Sequence, residues 1–291
     1  MKLERLLLEK VAAGRKFLAV YVTAGLPDIS SFADLLRELV TAGADVVEVG
    51  IPFSDPVMDG VVIQRASAKA LSLGVTPQVA LDALESTQEH FAATGLVVMT
   101  YANIVRRIGE DRFAVELALR GVDGAIVADL PLEESGGWEA AAAAHNVAPI
   151  LLAAPNASDE RIAEVCRRSR GFVYGVSLLG VTGPRQSLSD LARQIGVRLK
   201  KYARIPVGIG IGISTPSQAQ EAAVYGDGVI VGSALVDRIL SAASSVEAIA
   251  GAADFVRSLR QALDEAWPEK PEKADAGERG VPGVGVEPTR A

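Results

Sequence analysis

Glu48 stands in the middle of the run Val46-Val47-Glu48-Val49-Gly50. A carboxylate inside a buried strand costs free energy unless it is paired or hydrogen-bonded. Side chains alternate along a strand, so Glu48 points away from the face that carries Val47 and Val49. If that face is the inside of a barrel, Glu48 lies at the floor of the active-site mouth. Burial there raises the pKa of a carboxyl group and suits it to proton transfer. A structural glutamate bonded to a helix behind the sheet would satisfy the same pattern. The strand continues into Ile51-Pro52-Phe53-Ser54-Asp55-Pro56-Val57-Met58-Asp59-Gly60, a constrained acidic loop. Asp-Pro and Asp-Gly are common turn dipeptides, so Asp55 and Asp59 have a turn reading beside a catalytic one.

A second chemistry is suggested late in the chain. Gly180-Val181-Thr182-Gly183-Pro184, Gly210-Ile211-Gly212-Ile213-Ser214 and Val231-Gly232-Ser233-Ala234 each follow or end an apolar run. Backbone N–H groups and a helix N-terminus after the last strands of a barrel commonly hold phosphate, and glycine lets the anion approach closely. Each glycine alone would serve a turn. Together, at the same end of three successive strands, they point to a phosphate group.

The elements that must position these residues follow from hydrophobic patterning. Short, nearly continuous apolar runs at 17–24, 46–52, 96–101, 124–129, 148–155, 172–177, 206–212 and 228–234 read as parallel strands buried on both faces. Amphipathic helices are expected between them at 30–42, 77–92, 110–120, 132–145, 158–168, 188–201, 215–225 and 246–264. Ser158 and Ser214 are candidate N-caps, and Gly43, Gly121 and Gly226 candidate helix stops. Eight alternating units predict an α/β fold closed as a (β/α)8 or TIM barrel, with an open doubly wound sheet as the rival. The first strand leads into Thr23-Ala24-Gly25-Leu26-Pro27 and carries no GxGxxG dinucleotide fingerprint. An extra helix at 1–11 would cover the barrel's N-terminal end. We expect one barrel domain over 1–266. A disordered tail is expected over 267–291, where Pro, Gly and charge leave no material for a core.

Composition narrows the function further. The chain has 291 residues, 49% hydrophobic, and a net charge of −7. That argues for a soluble, cytoplasmic, acidic protein and against nucleic-acid binding, which usually needs a basic stripe. No apolar run reaches the roughly 20 residues of a membrane span. One cysteine and two histidines exclude an intramolecular disulfide and leave too few ligands for a structural zinc site. No metal is expected. His145, Cys166, Trp138 and Trp267 read as structural residues of helices or helix ends.

The segment GADVVEVGIPFSDPVMDGVVIQ at 43–64 resembles the signature of the tryptophan synthase α subunit family. YVTAG at 21–25, YAN at 101–103, VADLPLEE at 127–134, GVTG at 180–183, GIGIS at 210–214 and VGSA at 231–234 follow in the same order. The resemblance runs from about residue 2 to about residue 263. It implies retro-aldol cleavage of indole-3-glycerol phosphate to indole and glyceraldehyde 3-phosphate, a carbon–carbon lyase step in L-tryptophan biosynthesis. By residue-for-residue matching it implies Glu48 as general acid/base and Asp59 as the carboxylate on the indole N–H. It places Gly183, Gly212, Gly232 and Ser233 around the phosphate. Tyr21, Met99, Tyr101, Ile126, Ala128, Tyr174 and Ile211 fall around the indole. Thr182 falls on a closing loop, and Asp55 at the position that communicates with Thr182 and with a partner.

The resemblance implies no cofactor in this chain. It implies an α2β2 complex in which the β subunit carries pyridoxal phosphate and receives indole across a face bearing Asp55, Pro56, Asn103 and Pro131. The sequence departs from the family pattern at Leu26, at Val61, where a proline is usual, and at Ser177-Leu178-Leu179. Val61 should loosen the loop that holds Asp59. A stand-alone lyase releasing free indole, a non-catalytic regulatory barrel and another sugar-phosphate isomerase are the competing readings.

Overall fold

The computed structural model describes residues 1–176 and 187–268. Thr182, Gly183, the departure at 177–179 and tail positions 269–291 lie outside the described residues. Nine parallel strand segments carry the fold. They are β1 (Phe17–Thr23), β2 (Val46–Gly50), β3 (Gly95–Thr100), β4 (Gly124–Val127), β5 (Ala148–Pro149), β6 (Leu152–Ala153), β7 (Val173–Val176), β8 (Val207–Gly210) and β9 (Gly228–Val231). Their order is β5-β4-β3-β2-β1-β9-β8-β7-β6.

The two ends of that order belong to one stretch of chain. β5 pairs with β4 and β6 pairs with β7. Between them the Ile150 N–H donates to Ala125 O at 3.0 Å, and Leu151 O accepts from the Tyr174 N–H at 3.2 Å. The expected fifth strand is therefore present as two short pieces that together close the ring. Pro149 has no N–H to donate, which shortens the first piece. The closed (β/α)8 barrel holds and the open doubly wound sheet does not.

Period-two alternation then sorts the side chains. Phe17, Ala19, Val46, Val97, Ile126, Ala148, Ile150, Phe172 and Ile230 point inward and pack with Leu3 and Leu7 of the helix Lys2–Ala12. The N-terminal half of the barrel is thus solid hydrocarbon, capped by that helix. The alternate residues, such as Leu18, Val20, Val47, Val49, Leu96 and Val98, join the helix layer outside. Polar groups inside the ring are therefore confined to its C-terminal half.

Several local expectations need correction. The helices Val61–Ser72, Ala102–Ile108 and Ser233–Ser241 were not anticipated, because each starts inside a run that also reads as loop or strand end. The helix Pro77–Glu85 stops early, and Gln88–Phe91 is a separate 3-10 turn. The cap of Pro216–Ala223 is Thr215, whose hydroxyl accepts from the Gln218 N–H at 3.2 Å. Ser214 instead donates its N–H to Gln218 Oε1 at 2.8 Å. Gly226 is no helix stop; a Cβ there would come within 2.7 Å of Ile209. Ser158 caps its helix as expected, and Gly43 and Gly121 follow their helices at positive φ.

Candidate active site

A cavity of about 420 Å³ opens among the C-terminal ends of the strands. Tyr21 and Glu48, register partners on β1 and β2, form part of its wall. Met99, Ile126, Ala128, Leu152, Tyr174 and Ile230 give it an apolar side. Met58, Asp59 and Gly60 from the loop after β2 close in on Glu48. Gly210, Gly212, Gly232 and Ser233, from the ends of β8 and β9, line the remaining wall.

Two glycines make room for the aromatic walls. A Cβ on Gly50 would lie 2.0 Å from the Tyr21 hydroxyl, and one on Gly210 would lie 2.5 Å from the Tyr174 ring. Each tyrosine lies across a neighbouring strand that only glycine leaves bare. Burial pushes both phenols above their ordinary range, so both stay neutral.

Glu48 is 2% exposed, and its Oε2 is buried with no hydrogen-bond partner among the described residues. Burial, then the charge of Asp59, pushes its carboxyl up to about 8. Beneath it lies only the apolar plug, so nothing on that side would stabilise a carboxylate. Asp59 is half-buried. Burial raises its carboxyl to about 6, against a hydrogen bond from Tyr101 that pulls it down. The two groups therefore face one cavity with different proton affinities. At neutral pH Glu48 holds a proton and Asp59 is largely ionised, which is the division an acid and a charge stabiliser require.

The opposite wall suits an anion. Gly212 has φ +86°, a conformation that favours glycine, and a Cβ there would meet no atom of the described residues within 4 Å. Gly232 precedes the helix Ser233–Ser241 and its carbonyl accepts from the Leu235 and Val236 N–H groups, which leaves the Ser233 and Ala234 N–H groups without a carbonyl partner within the helix. The positive end of the helix dipole thus meets the cavity at Ser233. Gly183, the fourth residue expected around the phosphate, lies outside the described residues.

Not every expected residue reaches the cavity. Ile211 lies on the outer face and packs in the helix layer, since Gly210 and Gly212 take the inward positions of the period-two pattern. Tyr101 is buried at 3% exposure and is not among the lining residues; its hydroxyl donates to Asp59 Oδ2 at 3.0 Å. Asp55 is exposed and accepts from Ser54 Oγ at 2.6 Å. Asn103 and Pro131 are exposed and Pro56 is half-buried. Leu152, Ala154, Val176, Ile213 and Ile230 line the cavity without having been singled out. Strand alternation was the signal that could have found Leu152, Val176 and Ile230. Among the described residues, no cluster of three His, Cys, Asp or Glu side chains could hold a metal ion, and no helix is long and apolar enough to cross a membrane.

Comparison with known proteins places this cavity in context. A family model described as tryptophan synthase alpha chain matches residues 8–264. The chain is 42% identical over 260 residues to the tryptophan synthase alpha chain of Thermobifida fusca, covering 88% of this chain and 96% of that one. It is 46% identical over 228 residues to that of Mycobacterium ulcerans, covering 78% and 84%. Its fold is similar to the crystal structure of tryptophan synthase subunit alpha from Legionella pneumophila, with a TM-score of 0.84 and 34% identity over 91% of this chain and 98% of that one.

Proposed function

The chain belongs to the tryptophan synthase alpha chain family, and we propose that it cleaves indole-3-glycerol phosphate through Glu48 and Asp59. The products are indole and glyceraldehyde 3-phosphate, and the step serves L-tryptophan biosynthesis. The observation that carries the residue assignment is the unpartnered, buried Glu48 carboxyl on the wall of a cavity that Asp59 also faces.

The chemistry follows from that pair. The bond to be broken joins indole C3 to the carbon bearing the first side-chain hydroxyl. Glu48, neutral at rest, delivers its proton to C3. The indole ring becomes an indolenine whose positive charge centres on N1, beside the Asp59 carboxylate. Glu48, now ionised on an apolar floor, is a strong base and takes the hydroxyl proton as that carbon becomes the aldehyde. The C3–C bond breaks, its electron pair returns to the ring, and Glu48 ends protonated. Tyr21, Met99, Ile126, Ala128 and Tyr174 enclose the indole. Gly212, Gly232 and Ser233, with Gly183, hold the phosphate. Thr182 serves as part of a lid and Asp55 couples it to a partner.

The remaining assignments rest on family membership. The barrel of 1–266 is one domain that works in the cytoplasm, with 267–291 as a tail. A β subunit binds the face of Asp55, Pro56, Asn103 and Pro131 in an α2β2 assembly, and pyridoxal phosphate belongs to that subunit. Exposure of Asp55, Asn103 and Pro131 leaves that face open for it. Purified chain incubated with indole-3-glycerol phosphate should release indole, and added β subunit should raise the rate by roughly tenfold or more, within the usual range of coupling between sites. Equal turnover with and without the β subunit would overturn the complex and leave a stand-alone lyase.

The two carboxyls also set a pH profile. Asp59 must be ionised and Glu48 protonated, so kcat should rise as pH passes about 6 and fall as it passes about 8. Because the groups interact, the two limbs belong to the pair. A profile flat from pH 5 to 9 would contradict this assignment.

A further inference from the structure

We propose that Tyr101 is the positioning residue for Asp59, holding the loop after β2 by side chain and backbone at once, with Asp129 fixing Tyr101 from the segment after β4. This rests on the role given to Asp59 above. The Tyr101 hydroxyl donates to Asp59 Oδ2 at 3.0 Å and accepts from the Met58 N–H at 3.3 Å. Phe53, at the root of the same loop, stacks on the Tyr101 ring with centroids 4.9 Å apart and planes at 24°.

Among the described residues, the hydrogen bonds of the rest of the loop go to itself and to the helix it enters. Val57 N–H bonds Asp55 O, Asp59 N–H bonds Pro56 O, and Gln64 bonds Asp59 O and Gly60 O. Among the described residues, the hydrogen bonds from 52–60 to any other strand's chain both end on Tyr101. The following helix gives little restraint of its own. Its cap, Gly60, has no side-chain bond, and Val61 stands 73% exposed at its first position. Tyr101 therefore supplies the fixity that a proline at 61 would otherwise add.

Tyr101 is itself anchored. It directly follows β3 and caps Ala102–Ile108, its carbonyl accepting from the Ile104 N–H at 3.0 Å. The next peptide is held by Asp129, whose Oδ1 accepts from the Ala102 N–H at 2.7 Å. A chain of contacts thus runs from the end of β4 through the end of β3 to the carboxylate at the end of β2. Tyr101 is not among the cavity-lining residues, and both bonds of its hydroxyl go to the loop after β2. The ionisable groups that act on this part of the cavity are Glu48, Asp59, Tyr21 and Tyr174, with Asp129 acting on Tyr101 from behind.

The experiment measures kcat, KM and the pH profile of indole release for Tyr101→Phe, Asp129→Ala, Asp129→Asn and Asp59→Asn. Tyr101→Phe keeps the stack on Phe53 and removes both hydroxyl bonds. It should lower kcat by about 10- to 100-fold, the size of a hydrogen bond to a charged group. Loss of the donor raises the Asp59 carboxyl, so the acid limb should also move to higher pH. The substrate phosphate titrates alike in every variant and cannot produce that movement. Asp129→Ala should show the same two changes in weaker form, and Asp129→Asn, which keeps an acceptor for the Ala102 N–H, should restore both. Tyr101→Phe with kcat within twofold of the parent, or with reduced kcat and an unmoved acid limb, overturns the positioning role. If Asp59→Asn is inactive while Tyr101→Phe is unaffected, only this inference fails. If Asp59→Asn is fully active, the role of Asp59 fails with it.

Discussion

Glu48→Gln should bind indole-3-glycerol phosphate and release indole at least about 10²-fold more slowly, because a positioned acid/base contributes roughly 10²- to 10⁴-fold. Glutamine fills the same space between Tyr21 and the apolar floor, so the cavity keeps its shape and KM should change little. The amide cannot give a proton to C3 or receive one from the hydroxyl. The same variant should show a second, opposite effect on stability. The folded-state carboxyl sits at about 8 and its ordinary value is 4.5. Between those values the folded chain holds a proton that the unfolded chain has released. Unfolding therefore becomes more favourable as pH rises through that window. Each unit of separation is worth about 1.4 kcal/mol, so ionisation of Glu48 costs the fold on the order of a few kcal/mol above pH 8. Glutamine removes this dependence. Urea unfolding at pH 5, 7 and 8.5 should find the variant gaining on the parent steadily with pH. Below about pH 4.5, where Glu48 is neutral in both states, only the unpartnered amide distinguishes the two chains and works against the variant. A stability difference that does not change with pH would mean that Glu48 is not held neutral by burial.

How far the sequence carries this site differs from residue to residue. The period-two alternation around Glu48 set it opposite Val47 and Val49 but left open whether that face was the barrel interior or the helix layer, which the pairing of β2 with β1 and the cavity wall decide. The same rule would have turned Ile211 outward, since Gly210 and Gly212 cannot share its face; family matching placed it in the pocket instead. The barrel itself was legible from eight apolar runs, yet their C-terminal ends were not. Residues 51–52, 128–129 and 211–212 continue the apolar or extended pattern beyond the strands, with Ile51 and Ala128 still donating to Met99 O and Thr100 O. The helices Val61–Ser72, Ala102–Ile108 and Ser233–Ser241 were hidden for a related reason. Each begins where a loop delivers functional residues, and the local residue choice there answers to the site before it answers to helix propensity. The bond from Tyr101 to Asp59 spans 42 residues and joins two loops whose sequences separately suggest nothing of it. Such a contact becomes visible only when the strand order sets β2 beside β3.

Asp59→Asn tests whether that loop holds a charge for the reaction or only makes a turn. Asparagine is as good a turn residue as aspartate, and its carbonyl oxygen can still accept from the Tyr101 hydroxyl. The loop should stay where it is, and thermal stability should change little. What is lost is the negative charge at the indole nitrogen when C3 has been protonated. A preorganised group of this kind in a water-poor cavity is worth roughly 10²- to 10³-fold in kcat. The charge develops only after protonation, so the loss should fall on kcat and spare KM. Two changes in the pH profile should accompany it. The acid limb near 6 requires an ionisable group at 59 and should vanish. The alkaline limb should move to lower pH, because the charge of Asp59 is one of the two causes that hold the Glu48 carboxyl up at about 8. A variant that keeps more than about a tenth of the parent's kcat falls short of the effect expected for a removed charge. With both limbs in place as well, it would make Asp59 a turn residue and leave the chemistry to Glu48 alone. Loss of the acid limb together with a downward move of the alkaline one would tie both carboxyls to one site, since a nearby negative charge disfavours the ionisation of Glu48.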